Sequence, residues 1–140
     1  MTRPGTGAPK STTPAARRPK RFPGTVLESI AASKILGVRA GTEHRFTGVW
    51  VVVVKGRVFV RPWYDKADGW HRALLHERRG TIQVPTREIP VRARPVRGKL
   101  LLDAIDEAYG EKYNTRASQK WVRGFRLDRR RLTTTEFLPR

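Results

Sequence analysis

The chain has 140 residues, no cysteine, and 30 Lys+Arg against 12 Asp+Glu, for a formal net charge of +18. That length suits one domain and a tail. The missing thiols exclude disulfides, thiolate nucleophiles and cysteine-based metal sites. No apolar run approaches a membrane span, and the basic N-terminus lacks the apolar segment of a signal peptide. A cytoplasmic protein is the expectation. So large a charge attracts polyanions without sequence preference, although a general excess of arginine accounts for it equally well.

Residues 1–22 are rich in Pro, Gly, Ser and Thr, carry Arg3, Lys10, Arg17, Arg18, Lys20 and Arg21, and contain no acid. With almost no large apolar side chain, they cannot offset the entropy of ordering, so they read as a disordered basic tail. It serves either as an electrostatic tether to nucleic acid or as a solvated leader. The folded domain is expected over 23–140.

Thr25 and Glu28 have the spacing of a capping box, which predicts a short helix from Thr25 to about Ser33. Strands are predicted at 35–40, 45–54 and 57–63, an antiparallel meander in which Lys55-Gly56 forms the tight turn. Residues 49–54 lack polar alternation, so both faces of that strand are expected to be covered. Asp68 is positioned to cap a helix over 70–78, closed by Gly80. A second hairpin is predicted at 81–84 and 89–96. Pro85, Pro90 and Pro95 cannot donate to a ladder, which places it at least partly at a sheet edge.

The clearest helix runs over 99–113, with Leu101, Ile105, Ala108 and Tyr109 on one face and Asp103, Asp106, Glu107 and Glu111 on the wet side. A short helix within 114–127 is expected to bury Trp121, Val122 and Phe125. The run Arg129, Arg130, Arg131 reads as a solvated turn, and 132–138 as the last strand. Six strands joined by short connections, with no βαβ unit, predict a mainly β, α+β fold. Its expected form is a six-stranded, partly open antiparallel barrel with flanking helices.

No nucleophile elbow, phosphate loop or dinucleotide fingerprint is present. His44, His71 and His76 lack metal-ligand spacing, so no metal site is expected. What remains is a set of cations and aromatics after the third strand: Arg61, Trp63, Trp70, His71 and Arg72. Arg72 could give a phosphate two parallel hydrogen bonds, and Trp63 or Trp70 could stack on a ring. Alternatively, Trp70 anchors a core while Arg61 and Arg72 pair with Asp65, Asp68 or Glu77. Lys112 at a helix end complements the dipole. Thr133 and Thr134 offer hydroxyls, but threonine is also simply a good strand former.

Several of these residues also form a recognisable series. Trp50 enters the second strand; Val58, Val60 and Arg61 end the third; Trp70 and Arg72 start a helix. Ala108, Tyr109, Lys112 and Tyr113 end the long helix, and Thr133, Thr134, Pro139 and Arg140 mark the close. Over roughly 25–140 this resembles the bacterial family called domain of unknown function 2255. That family is similar in pattern to the flavin split-barrel proteins, which include pyridoxamine-phosphate-oxidase-like enzymes and deazaflavin-dependent nitroreductases. The resemblance implies a split barrel, commonly a homodimer, with FMN or deazaflavin at the subunit interface and oxidoreductase chemistry. By the same analogy, Arg61 and the Trp70–His71–Arg72 turn would hold the cofactor phosphate. Thr133 and Thr134 would lie nearby, and residues 49–54 would face the dimer partner. The phosphate-binding run of better-known members is replaced here by residues 61–66. A non-catalytic dimeric scaffold and a basic nucleic-acid-binding module using the tail, the Arg92/Arg94 face and Arg129–131 stand as the alternatives.

Overall fold

The computed structural model describes residues 21–66 and 68–140. All of the expected tail except Arg21 and Phe22 lies outside them. Phe22 is buried beside Val26 and Ile30, so the packed chain begins one residue before the expected boundary.

The elements, in chain order, are α1 (Gly24–Ala32), β1 (Leu36–Ala40), β2 (Thr47–Val49), β3 (Val51–Val54), β4 (Arg57–Val60), α2 (Trp70–His76), β5 (Arg79–Val84), β6 (Arg87–Pro95), α3 (Lys99–Lys112), α4 (Gln119–Phe125), α5 (Asp128–Arg131) and β7 (Thr135–Pro139). All strand pairs are antiparallel, in the order β2-β1-β5-β6-β7-β4-β3. The two end strands of that sheet are neighbours in sequence, separated only by Trp50. One segment therefore supplies both edges, and the sheet curls into a nearly closed barrel with flanking helices.

There are seven strands rather than six, because the expected strand at 45–54 changes partner at Trp50. Residues 47–49 pair with β1, and residues 51–54 pair with β4. The hairpin turn is as expected: Lys55 and Gly56 both have positive φ, 53° and 75°, as the two-residue turn that matches strand twist requires.

The break is held open by α3. In a two-residue hairpin, bonded and non-bonded pairs alternate, so after Val54–Arg57 and Val52–Phe59 the next bonded pair would be Trp50–Arg61. That bond is not made. The Tyr109 hydroxyl sits in the gap, accepting from the Arg61 N–H at 3.1 Å and donating to the Trp50 carbonyl at 3.0 Å. On the opposite side of the strand, the β1–β2 register extrapolates to Val51 facing Lys34. There the Tyr113 hydroxyl accepts from the Val51 N–H at 3.0 Å and donates to the Lys34 carbonyl at 2.7 Å. Lys112 completes the set, donating to the carbonyls of Val51 at 2.8 Å and Ile30 at 3.3 Å. Its role is thus to satisfy backbone beyond its own helix, not only to complement the dipole.

Two cores result. Inside the barrel lie Leu36, Val38, Val51, Val58, Val60, Ile82, Val91 and Phe137, with α1 closing one end through Val26 and Ile30. On the outer face of β3 and β4, Val52 and Phe59 meet Leu102, Ile105, Tyr109, Val122 and Phe125 from α3 and α4. Both faces of the apolar strand are covered, as expected. They are covered by this chain itself: Val51 and Val52 are fully buried within it and are not open to a dimer partner.

Several local expectations are corrected. α1 begins at Gly24 with Pro23 as its cap, because Val26 and Leu27 donate to the Pro23 carbonyl; Thr25 lies inside the first turn and makes no cap bond. Gly69, not Asp68, caps α2. The β5–β6 hairpin is central, not at an edge. Its prolines fit because none needs an N–H: Pro85 lies in the turn, and Pro90 uses only its carbonyl, accepting from Arg140 N–H. The last strand starts at Thr135, since residues 128–131 form a helical turn.

Removing either wedge hydroxyl orphans two backbone groups. Tyr109→Phe and Tyr113→Phe should each destabilise the fold by about 1–3 kcal/mol, the cost of leaving buried polar groups unpaired, measured by urea unfolding. Burial lowers Lys112 to a pKa of about 8 from 10.5. The folded state then binds fewer protons than the unfolded state between those values, so stability should rise with pH across that window. Lys112→Met should abolish that rise, read as urea midpoints at pH 7.5, 9 and 10.

Candidate functional site

A cleft of about 880 Å³ opens where the hairpin is split. Its walls are the segment 45–50, the chain after β4, the start of α2, and α4. All four tryptophans of the chain line it: Trp50, Trp63, Trp70 and Trp121. Arg45 and Lys66 supply cations along it, and both are exposed.

Three of the indoles, Trp50, Trp63 and Trp121, are held by aromatic or cationic neighbours. Trp50 stacks on Tyr113 with ring centres 4.0 Å apart and planes 1° from parallel, so one tyrosine both wedges the strand and backs the cleft. Trp63 meets Trp121 edge-on at 4.6 Å and Phe125 edge-on at 5.4 Å, geometries that aromatic quadrupoles favour. The Arg130 guanidinium lies 3.7 Å over the Trp63 ring, while its Nε donates to the Trp63 carbonyl and its Nη1 to that of Gly124. Gly124 has no room for a side chain: a Cβ there would fall 2.3 Å from the Trp63 ring.

Of the residues expected to hold a ligand, the structure brings Arg61, Trp63 and Trp70 to this cleft and leaves His71, Arg72, Thr133 and Thr134 outside its lining. Arg61 borders it only as a wall. It is 1% exposed, and its guanidinium turns inward to Asp106, the Thr134 hydroxyl (2.7 Å) and the carbonyls of Phe125 (3.0 Å) and Leu102 (3.2 Å). Four of its five N–H groups are spent on the protein, which leaves one for any ligand. Thr134 is likewise consumed, accepting from Arg61 and donating to the Arg131 carbonyl. Thr133 donates to the Arg130 carbonyl at 2.9 Å.

Arg72 forms a two-point pair with Asp65, at 3.1 and 3.2 Å, and His71 Nδ1 lies 2.9 Å from the same carboxylate. The hydrogen bond from Arg72, against the opposing effect of burial, holds the Asp65 carboxyl below its ordinary value, with His71 contributing. The Arg72–Asp65 pair is one the sequence offered as the structural alternative, whereas Arg61 pairs with Asp106 instead of Asp65, Asp68 or Glu77; the contacts to Asp65 order the chain leading into α2.

Two further readings fail on burial. Asp106, expected on the wet side of α3, is 6% exposed and bridges Arg61 and Arg131. Residues 129–131 are not a free charge run, since Arg130 is stacked on Trp63 and Arg131 pairs with Asp103 and Asp106. Arg94 donates to buried Glu136 at 2.8 Å, as does Arg57 at 2.9 Å. Burial alone would raise the Glu136 carboxyl, but those two arginines outweigh it and hold it below the ordinary carboxylate value. Of the suggested basic faces, Arg92 and Arg129 stay exposed without an ion-pair partner among the described residues. Trp121, expected in the core, is 38% exposed at the cleft. Sequence reasoning missed Trp50, Trp121, Arg45 and Lys66 as site residues; the signal available was that the chain has only four tryptophans.

Barrel, split hairpin and aromatic cleft together define a split β-barrel protein with a ligand-sized cleft. Residues 27–136 match the family described as "Uncharacterized protein conserved in bacteria (DUF2255)". The chain belongs to that family. No curated protein matches it. Among solved structures it is similar to the conserved hypothetical protein Rv2991 from Mycobacterium tuberculosis, with TM-score 0.55 and 15% identity over 87% of this chain and 82% of that one. It is also similar to an FAD-binding protein (mll6688) from Mesorhizobium loti, with TM-score 0.49 and 8% identity over 84% and 88%. No helix among the described residues is long and apolar enough to cross a membrane, and no group of three or more His, Asp or Glu among them is placed to hold a metal ion.

A buried ion pair that loses one partner leaves an uncompensated charge. Asp106→Ala and Arg61→Ala should therefore each cost about 3–5 kcal/mol in urea unfolding. Arg72→Ala, at an exposed pair, should leave the unfolding midpoint nearly unchanged.

Proposed function

We propose that the cleft binds a flat, anionic heteroaromatic cofactor, FMN or a deazaflavin, and that the protein acts with it as an oxidoreductase. The observation that carries this reading is the gathering of all four tryptophans on one cleft with Arg45 and Lys66 beside them. Its volume lies within the range of small-molecule sites. Indoles pinned from behind by Tyr113, Phe125 and Arg130 make a rigid stacking surface, so little ordering entropy is lost on binding.

The donor set fits such a group, but by a different route from the one the resemblance implied. Arg61, Arg72 and Thr134 are committed to the protein, so the phosphate would be held by Arg45 and Lys66. The tryptophans would orient the ring and exclude water from its faces. When bound, the cofactor supplies the hydride chemistry.

Added FMN or deazaflavin should quench the tryptophan fluorescence and raise the melting temperature. Trp121→Ala and Lys66→Ala should each weaken binding about tenfold, the order expected for one stacked ring or one phosphate cation, while Arg72→Ala leaves affinity unchanged. Absence of both quenching and thermal shift with either cofactor would overturn the proposal in favour of a non-catalytic barrel.

A further inference from the structure

The backbone that lines the cleft is as informative as its side chains. The β5–β6 hairpin turns on two residues, so Val84–Arg87, Ile82–Ile89 and Gly80–Val91 are its bonded pairs. Gln83 and Thr81 must then direct their N–H and C=O groups to β1, at Gly37 and Arg39. Leu36 and Val38 consequently face β2, where they bond Val49 and Thr47. Gly48, between them, points its N–H and C=O the other way, out of the sheet edge.

In an unbroken hairpin those two groups would meet Trp63, the residue that the β3–β4 register places opposite Gly48. Here β4 ends at Val60, the Tyr109 hydroxyl parts the strands, and the space between Gly48 and Trp63 is the cleft. Gly48 is exposed and lines it. Among the described residues, no loop backbone or side chain bonds to it. An open pair of main-chain groups, donor beside acceptor, thus looks into a cavity walled by indoles.

We infer that Gly48 is the specificity-determining residue of the cleft, and that it selects planar rings carrying a lactam or imide edge, an adjacent C=O and N–H. Such an edge accepts from the Gly48 N–H and donates to the Gly48 carbonyl, taking the place of the absent strand neighbour while the ring stacks on the indoles. A peptide strand is the weaker occupant, because β2 offers one residue with outward groups, not the several that strand addition needs. Rings that stack equally well but lack the edge leave the Gly48 pair unsatisfied on binding, and sites of this kind reject them strongly.

This rests on the flat-ring reading of the cleft, and one experiment separates the two. Tryptophan quenching is titrated with FMN, with FMN methylated at the ring imide nitrogen, and with a pyrene sulfonate, which is flat and anionic but has no lactam edge. The expected result is that FMN binds at least tenfold more tightly than either of the others. Equal affinity for all three overturns the role of Gly48 and leaves the stacking cleft standing. Tightest binding of the pyrene sulfonate overturns both the edge and the flavin-type assignment, and binding of none overturns the cleft as a ring site.

Discussion

The fold depends on one constraint: a single strand must serve two edges of the same sheet. It can do so only if its hydrogen bonds change partner within three residues, and that leaves ladder groups unpaired on both sides. Tyr109 and Tyr113 resolve this with two hydroxyls one helical turn apart. Each stands where a ladder bond would have been, accepting from one strand and donating to the other. Burial pushes both hydroxyls above their ordinary pKa, Tyr113 to about 12, so they remain donors over the whole working range. The long helix is thereby joined to the barrel through main chain as well as through apolar contact.

The cleft follows from that split and is stiffened by arginines that never reach it as ligands. Arg61 joins the end of β4 to α3, α4 and the chain before β7. Arg131 joins α5 to the same carboxylate. Arg130 ties Trp63 to Gly124. In water each cation would be a mobile surface charge. Here each holds a loop or a ring in place, at the cost of desolvation that the surrounding carboxylates and carbonyls offset.

Much of the architecture was legible in the sequence, because it is written in local signals. Lys55-Gly56 announced its turn, the apolar run after Trp50 announced burial on both faces, and the period of residues 99–113 announced a helix. The change of partner at Trp50 was not legible, since an apolar strand reads the same whichever neighbour it bonds. Asp106 was assigned to water on helical period alone. Only the three-dimensional approach of Arg61 and Arg131 gives a carboxylate reason to be buried there. Arg61 illustrates the converse. A lone arginine after a strand looks like a ligand-binding cation until its partners, Asp106 and Thr134, are brought from 45 and 73 residues away. The tryptophans were individually noticed and collectively missed, because their convergence depends on the path of the loop between β4 and α2.

The double use of one strand also bears on how the chain reaches this state. The β3–β4 hairpin is local and can form early. Its junction to the rest, however, is sealed by side chains 48 and 62 residues further along. Until α3 has been made and has docked, the break between the two edge strands has no wedge, and the backbone at Trp50 and Val51 stays open to water. Closing such distant loops pays its entropy before the reward arrives, a hallmark of slow, topology-limited folding. For a nascent chain, this sets an order of events in which the break at Trp50 is sealed only after residue 113 emerges, and barrel closure waits further for β7, which joins β6 to β4.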